Sequence, residues 1–436
     1  MKFYSTKNKN HLVSLKEAVL KGLPPDNGLY MPQTIPQLPN TFFNSLGSKS
    51  MQEMAFEVAN AFFGDDLNNA DLEWVVEDAI NFDAPLKAIH NDIFALELFH
   101  GPTMAFKDFG ARFMSRLMSK IISKQDKTVH ILVATSGDTG SAVAQGFYDV
   151  DGIHVTILYP SGKVSKIQEQ QIATLDKNIS TLEIDGTFDD CQHLVKTAFL
   201  DLELNKQILL SSANSINVAR FIPQSFYYFY SMAQVLKLTD KPVVFSVPSG
   251  NFGNLTAGLF AQKMGLPVHH FVAAVNANDT FPRYLADGKF EAKPSVKTIS
   301  NAMDVGNPSN LGRIFDLFNN DIDQIRNHIS SYSFSDSQTK VAIREIFNST
   351  NYLLDPHGAV GYLGMQKYLS EQESNPAGIV FETAHPAKFK DVVDDVISAE
   401  IEIPDRLKSF MERKKTSISI SRNYSDFKEY LLSKVV

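Results

Sequence analysis

Five short apolar runs, each followed by a turn and then a stretch of helical period, constrain this chain more than any other feature. They are Val129–Ala134, Ile153–Leu158, Ile179–Ile184, Val243–Val247 and Val268–Val275, all rich in β-branched residues. A strand with one wet face alternates apolar and polar residues, whereas a run apolar throughout has to be covered on both sides. Strands alternating with helices form parallel sheets, because a parallel neighbour needs a long crossover and the crossover helix lies over the sheet. The expected class is α/β, with parallel-rich open sheets and helices on both faces. At 436 residues the chain exceeds what one core accommodates, so about two or three domains are expected.

Residues 1–85 read as a small N-terminal domain. Helical segments at Ser14–Leu20 and Gln52–Ala59 flank a proline-rich stretch from Gly22 to Pro39, before the regular alternation begins. The expected division of the rest is a large domain, 86–110 with 221–436, and a small α/β domain, 111–220. Ser215 to Leu238 reads as one long buried helix, and the charged end from about Asp405 as peripheral. The net charge of −8, from 41 basic and 49 acidic residues, is spread without a basic run, which disfavours nucleic acid and anionic membranes as partners. No window approaches the roughly 18 apolar residues of a membrane span. Residues 1–6 carry no signal-peptide core, so a cytoplasmic location is expected. The single Cys191 excludes an intramolecular disulfide or a cysteine metal cluster, and no metal is expected.

Ligands in open α/β sheets bind beyond the carboxyl ends of strands, which directs attention to the loops there. Thr135-Ser136-Gly137-Asp138-Thr139-Gly140-Ser141 follows the first run; Pro248-Ser249-Gly250-Asn251-Phe252-Gly253-Asn254 follows the fourth. Both offer glycines for close backbone approach and a helix N-terminus that favours an anion. Neither has the lysine of a P-loop or the glycine spacing of a dinucleotide site, which argues against an ATPase or a dehydrogenase. Lys107 lies among Ala105, Phe106 and Phe109 just after the turn at Gly101-Pro102. Desolvation there lowers the pKa of an ammonium and makes the amine a nucleophile and base. A snorkelling lysine at a helix start is the plainer explanation of the same stretch. Thr383, after the strand-like 378–380, offers either a neutral hydroxyl to a ring nitrogen or a helix cap.

Taken together, four segments resemble the threonine synthase family, in its longer branch with an N-terminal domain. They are Phe99-His100-Gly101-Pro102-Thr103-Met104-Ala105-Phe106-Lys107-Asp108, Ala134 to Gly140, Val247 to Asn254, and Glu382-Thr383-Ala384-His385-Pro386-Ala387-Lys388-Phe389. The likeness extends to Asn214–Arg220, Asn301–Val305 and Asp355-Pro356-His357, in the expected order over nearly the whole chain. It implies a fold type II enzyme using pyridoxal phosphate (PLP) to convert O-phospho-L-homoserine and water into L-threonine and phosphate. Lys107 would hold PLP and then shuttle protons. Gly250, Asn251, Phe252, Gly253 and Asn254 would hold the cofactor phosphate, and Thr383 would face the pyridine nitrogen. Ser136, Gly137, Asp138 and Thr139 would surround the substrate end.

Asp138 is an unusual choice beside a ring phenolate, being unfavourable there unless protonated or turned away. Candidates for the departing phosphate are Ser161, Lys163, Asn214, Ser215, Asn217 and Arg220, the cations suiting phosphate by charge and geometry. His100 and His357 are expected to be structural. The expected partner is a small-molecule substrate, with the protein a monomer or homodimer. A phospho-lyase releasing a keto acid and a non-enzymatic PLP-binding protein are the rival readings.

Overall fold

Both expected sheets are present in the computed structural model, which describes residues 1–122, 128–135 and 137–434. The larger runs in the order Ile329–Ser333, Val268–Val275, Val243–Pro248, Ala377–Glu382, Ile93–Glu97, Leu86–His90. Its neighbours pair in parallel except for the last, which is antiparallel. The smaller sheet runs Ile418–Ile420, Ile179–Ile184, Ile153–Pro160, Val129–Ala134, Leu209–Ser212, all parallel.

The packing shows why these strands carry apolar residues on both faces. Successive side chains point to opposite faces. Phe245 and Val247 therefore enter one core with Phe271 and Phe381, while Val244 enters a second with Val272 and Val380. In the smaller sheet Ile131 and Val133 join the first core, and Leu132 and Ala134 face a third with Leu158 and Leu182.

The N-terminal region is less separate than its pattern suggests. Its antiparallel sheet (Asn8–Ser14, Lys2–Ser5, Tyr30–Pro32) and the helices Leu15–Lys21, Met51–Phe63 and Asn69–Ala79 are local structures. Yet Val19, Met54, Phe62 and Phe63 lie in the same core as Phe113 and Phe260. The rings of Phe62 and Phe260 stack at 6.2 Å, and Phe63 lies 5.6 Å from Phe113.

Two other features differ from expectation. The 215–238 stretch is broken: a helix at Val218–Phe221, a 3-10 turn at Ile222–Ser225 and a helix at Phe226–Val235. Pro223 has no N–H to donate and its ring crowds the preceding turn, so the chain tightens there. The chain end is not peripheral. Ile418–Ile420 pairs with Leu182–Ile184, and Phe427 and Leu431 of the helix Tyr424–Leu432 are buried against the small sheet. Lys428 and the Tyr424 hydroxyl anchor it on Asp201 at 2.6 and 2.7 Å. Among the described residues, no helix is long and apolar enough to cross a membrane.

Candidate active site

The loop before Lys107 is pinned to the loop after the strand Ala377–Glu382. The Leu98 and Phe106 N–H groups donate to the carbonyls of Glu382 and Thr383 at 2.9 and 2.8 Å, and His385 N–H to that of Met104 at 3.1 Å. Thr103 donates through its N–H and hydroxyl to the Asp108 carboxylate at 2.8 and 2.7 Å. A Cβ at Gly101 would meet Asp108 Oδ2 at 2.4 Å, so only glycine fits under that carboxylate. These bonds place Lys107 at the start of the helix Lys107–Ile122, with Nζ 5.0 Å from the Phe106 ring centre. Burial pushes its ammonium down to about 8; Asp138 opposes the shift, and the cations of Lys388 and Arg220 reinforce it.

Facing it, the strand Val243–Pro248 runs through Ser249–Phe252 into the helix Gly253–Lys263. Phe252 turns the chain with φ +60°, in the left-handed region. Asn251 ties this loop to its neighbours, accepting from the Ser309 N–H at 2.6 Å and donating to Ser215 Oγ at 3.0 Å. Asn254 Oδ1 accepts from the hydroxyls of Tyr227 and Tyr228 at 2.8 and 2.9 Å, which fixes the amide and leaves its buried Nδ2 without a partner. A Cβ at Gly250 would come within 2.7 Å of Met303 Cα. An unsatisfied donor, a helix N-terminus and a glycine-lined floor make an anion cradle. With a desolvated lysine across the cavity, this donor set fits PLP, whose phosphate and aldehyde need those two partners.

One cavity of about 810 Å³ gathers Lys107, Asp138, Thr139, Asn214, Ser215, Arg220, Gly250–Asn254 and Thr383, and Thr6, Asn27 and Gly28 of the N-terminal region join its wall. Arg220 is buried, its Nε has no partner, and no carboxylate among the described residues pairs with it. Burial pushes its guanidinium down to about 10. Thr383 has its carbonyl taken by Phe106, while its side chain faces the cavity lining with no hydrogen bond among the described residues.

Other candidates stand apart. Asn217 is wholly buried as a helix cap, accepting from the Ala219 N–H at 3.0 Å and donating to the Val19 carbonyl at 2.8 Å. Ser161 is exposed and donates to Glu183 at 2.6 Å; Lys163 donates to the Gly186 carbonyl at 2.9 Å and borders a second cavity. Gly137 lies behind the cavity with φ +144°, where a Cβ would meet Gln168 at 2.5 Å. Ser136 lies outside the described residues.

Asp138 is buried and ion-paired. Burial pushes its carboxyl up, but Lys388, Lys107 and the Gln168 amide outweigh this and hold it well below the usual carboxylate range. Lys388 is its ion-pair partner at 2.6 Å, a site residue that sequence reading passed over inside a motif it had singled out. The wall opposite Gly250 was also missed as a unit. His357 bonds Asp355 at 2.6 Å and accepts from the Ala302 N–H at 3.2 Å, which holds the 301–303 turn against the cradle. Arg313, fully buried, donates to the carbonyls of Tyr30 and Ser215 at 3.2 and 2.8 Å and to Asn310 Oδ1 at 2.6 Å, joining the N-terminal region to both loops. His100 bonds Glu97 at 2.8 Å and does not line the cavity.

Known proteins resemble this chain in sequence and fold. Residues 80–382 match the family described as pyridoxal-phosphate dependent enzyme, residues 2–80 the threonine synthase N terminus, and residues 358–431 the threonine synthase C-terminal part. A threonine synthase of Haemophilus influenzae is 44% identical over 432 residues, covering 99% of this chain and 100% of that one. The crystal structure of threonine synthase from Escherichia coli has a TM-score of 0.92 at 40% identity, covering 99% and 100% of the two chains. PLP-bound threonine synthase from Brucella melitensis gives 0.93 at 34% identity, covering 100% and 99%. The chain therefore belongs to the threonine synthase family of pyridoxal-phosphate dependent enzymes.

Proposed function

We propose that this protein converts O-phospho-L-homoserine and water into L-threonine and phosphate, with Lys107 as the residue that carries PLP and moves protons. The observation that carries the reading is a desolvated lysine and an anion cradle lining one cavity, with a second cation, Arg220, in the same lining and without a carboxylate partner among the described residues. PLP, when bound, supplies an aldehyde that captures an amino group and a conjugated ring that accepts electrons as a neighbouring proton leaves.

The protein's own residues supply the rest. Gly250 to Asn254 hold the cofactor phosphate through main-chain N–H groups and Asn254 Nδ2. With its pKa lowered to about 8 by burial, Lys107 is far more readily unprotonated at neutral pH than an ordinary lysine. Its amine would remove protons at the substrate's α and β carbons, deliver one to the γ carbon once phosphate has left, and return the other to the α carbon after water adds at β, the remaining proton of water passing to the released phosphate. Arg220, Asn214 and Ser215 receive the substrate phosphate, the guanidinium supplying the charge that lets it leave. Thr383 offers the ring nitrogen a neutral hydroxyl, and Asp138 and Thr139 border the substrate end. Ser161, Lys163 and Asn217 stay outside this set, since their polar groups are engaged elsewhere.

For the layout we propose three units: 1–85, then 86–110 with 221–404, then 111–220 joined by the chain end. The reaction takes place in the cytoplasm, with the protein a monomer or homodimer; a charged small substrate and a hydration step suit an aqueous compartment.

Substitutions at two positions probe the assignment. Gly250→Val sets side-chain bulk against the Met303 backbone, a strain of about 1–3 kcal/mol. It is expected to weaken PLP binding at least tenfold in an absorbance titration while far-UV circular dichroism stays unchanged. Thr383→Val removes one hydrogen bond, about 0.5–1.5 kcal/mol, so PLP affinity drops up to about tenfold. Thr383→Asp favours a protonated ring and is expected to raise α-proton exchange, read as deuterium uptake, at the expense of threonine.

Product identification tests the whole reading. The loaded protein given O-phospho-L-homoserine should yield threonine and phosphate in equal amounts; a keto acid and ammonia without threonine would contradict it.

A further inference from the structure

The steps above leave one pair of buried charges without a task. Asp138 and Lys388 lie 2.6 Å apart, at 3% and 0% side-chain exposure. They come from different sheets. Asp138 opens the helix Asp138–Phe147 beyond a small-sheet strand, and Lys388 sits in the turn Pro386–Phe389 beyond a large-sheet strand. Asp138 lines the main cavity and Lys388 an adjoining one of about 710 Å³, so the pair is part of the partition between them. Lys388 also donates to the Thr103 carbonyl at 3.0 Å, in the loop that leads to Lys107, and Asp138 accepts from Gln168 Nε2 at 3.0 Å.

A buried ion pair is a poor device for stability, because desolvating two ions offsets most of their attraction. The geometry offers another reason. Asp138, Lys388, Arg220 and Asp355 are the charges that weigh most on the Lys107 ammonium, and Lys107, Asp138 and Arg220 line the same cavity. Asp355 is already engaged by His357 at 2.6 Å, and the nearby Asp108 by Thr103. Besides Lys107, whose charge acts on it, Asp138 meets Lys388 and Gln168; the Lys388 charge also acts on Asp108 and His385. If Lys388 lost its charge, the cation left to pair with Asp138 would be Lys107. An amine captured as ammonium by a buried carboxylate cannot take a proton.

We infer that Lys388 is a positioning residue: it occupies Asp138 as a counterion, turned from Lys107, and so keeps Lys107 from becoming that counterion. This rests on the proposed role of Lys107, and the test separates the two. In full-length, cofactor-free protein, Lys107 is labelled by reductive methylation with formaldehyde and a borane across about pH 6 to 11, spanning its lowered and ordinary values. The peptide containing it is then quantified by mass spectrometry.

The labelling midpoint is expected to rise by about one unit or more in Lys388→Met. It should fall in Asp138→Asn, where Lys388 and Arg220 act unopposed, and return toward wild type in the double variant. A role in packing alone does not produce shifts of opposite sign. An unmoved or falling midpoint in Lys388→Met overturns the inference, as do two single variants shifting the same way. Lys388→Met strands a buried carboxylate and can fail to fold. In that case Asp138→Asn decides, a fall supporting and an unchanged or raised midpoint refuting. Protection of wild-type Lys107 by added PLP is read separately: its absence removes Lys107 as the cofactor lysine and leaves the midpoints interpretable.

Discussion

Replacing Lys107 with alanine is expected to lower threonine formation by at least about 10³-fold, because one amine supplies both the attachment point and the proton transfers. Folding should not suffer. Burial disfavours the Lys107 ammonium, whose pKa falls from 10.5 to about 8. Below pH 8 both folded and unfolded chains hold the proton, and the fold bears the desolvation cost. Between the two values the unfolded chain binds more protons, so stability rises with pH. Above 10.5 the penalty has gone. Cofactor-free Lys107→Ala is thus expected to melt above wild type at neutral pH, with the gap closing as pH rises through this window. Differential scanning calorimetry across that range checks it; a variant that melts lower at every pH would make Lys107 a structural residue.

Arg220→Met is expected to move activity and stability in opposite directions. Loss of a charge-assisted contact to the substrate phosphate should raise KM for O-phospho-L-homoserine about ten- to a hundredfold. The same change removes a buried guanidinium that has no carboxylate partner among the described residues and an unsatisfied Nε. Methionine keeps most of the apolar stem without the charge, so the melting temperature should rise. Stability held back in this way is characteristic of a site kept for binding. Steady-state kinetics with thermal melts on the same preparation read both effects, and a lower melting temperature with unchanged KM would make Arg220 a strut.

The strands that frame this site were legible because burial on both faces leaves a local signature: apart from His130, His269 and His270, every position of Val129–Ala134 and Val268–Val275 is apolar. Ile418–Ile420 has no such signature, being a short edge strand with exposed positions. The break in the 215–238 helix was written in Pro223, whose missing N–H was overlooked amid the surrounding aromatics. The N-terminal region was set apart because its pattern differs, yet pattern does not say which core a helix feeds, and Phe62 meets Phe260.

The site followed the same rule. Lys107 and the Gly250–Asn254 loop are local motifs and were visible. Asp138 looked anomalous because its partner lies 250 residues away in another sheet's loop, and Lys388 looked ordinary for the same reason. Asn217 carries the polarity of a ligand but spends it on a helix cap and on Val19. A sequence shows which groups can bond; only the fold shows which are already engaged.

The most direct measurement is where the cofactor attaches. Borohydride treatment of the PLP-loaded protein, followed by peptide mass analysis, should place one pyridoxyl phosphate label on the peptide containing Lys107. A label on Lys388, or on any other lysine with Lys107 unmodified, would contradict the account.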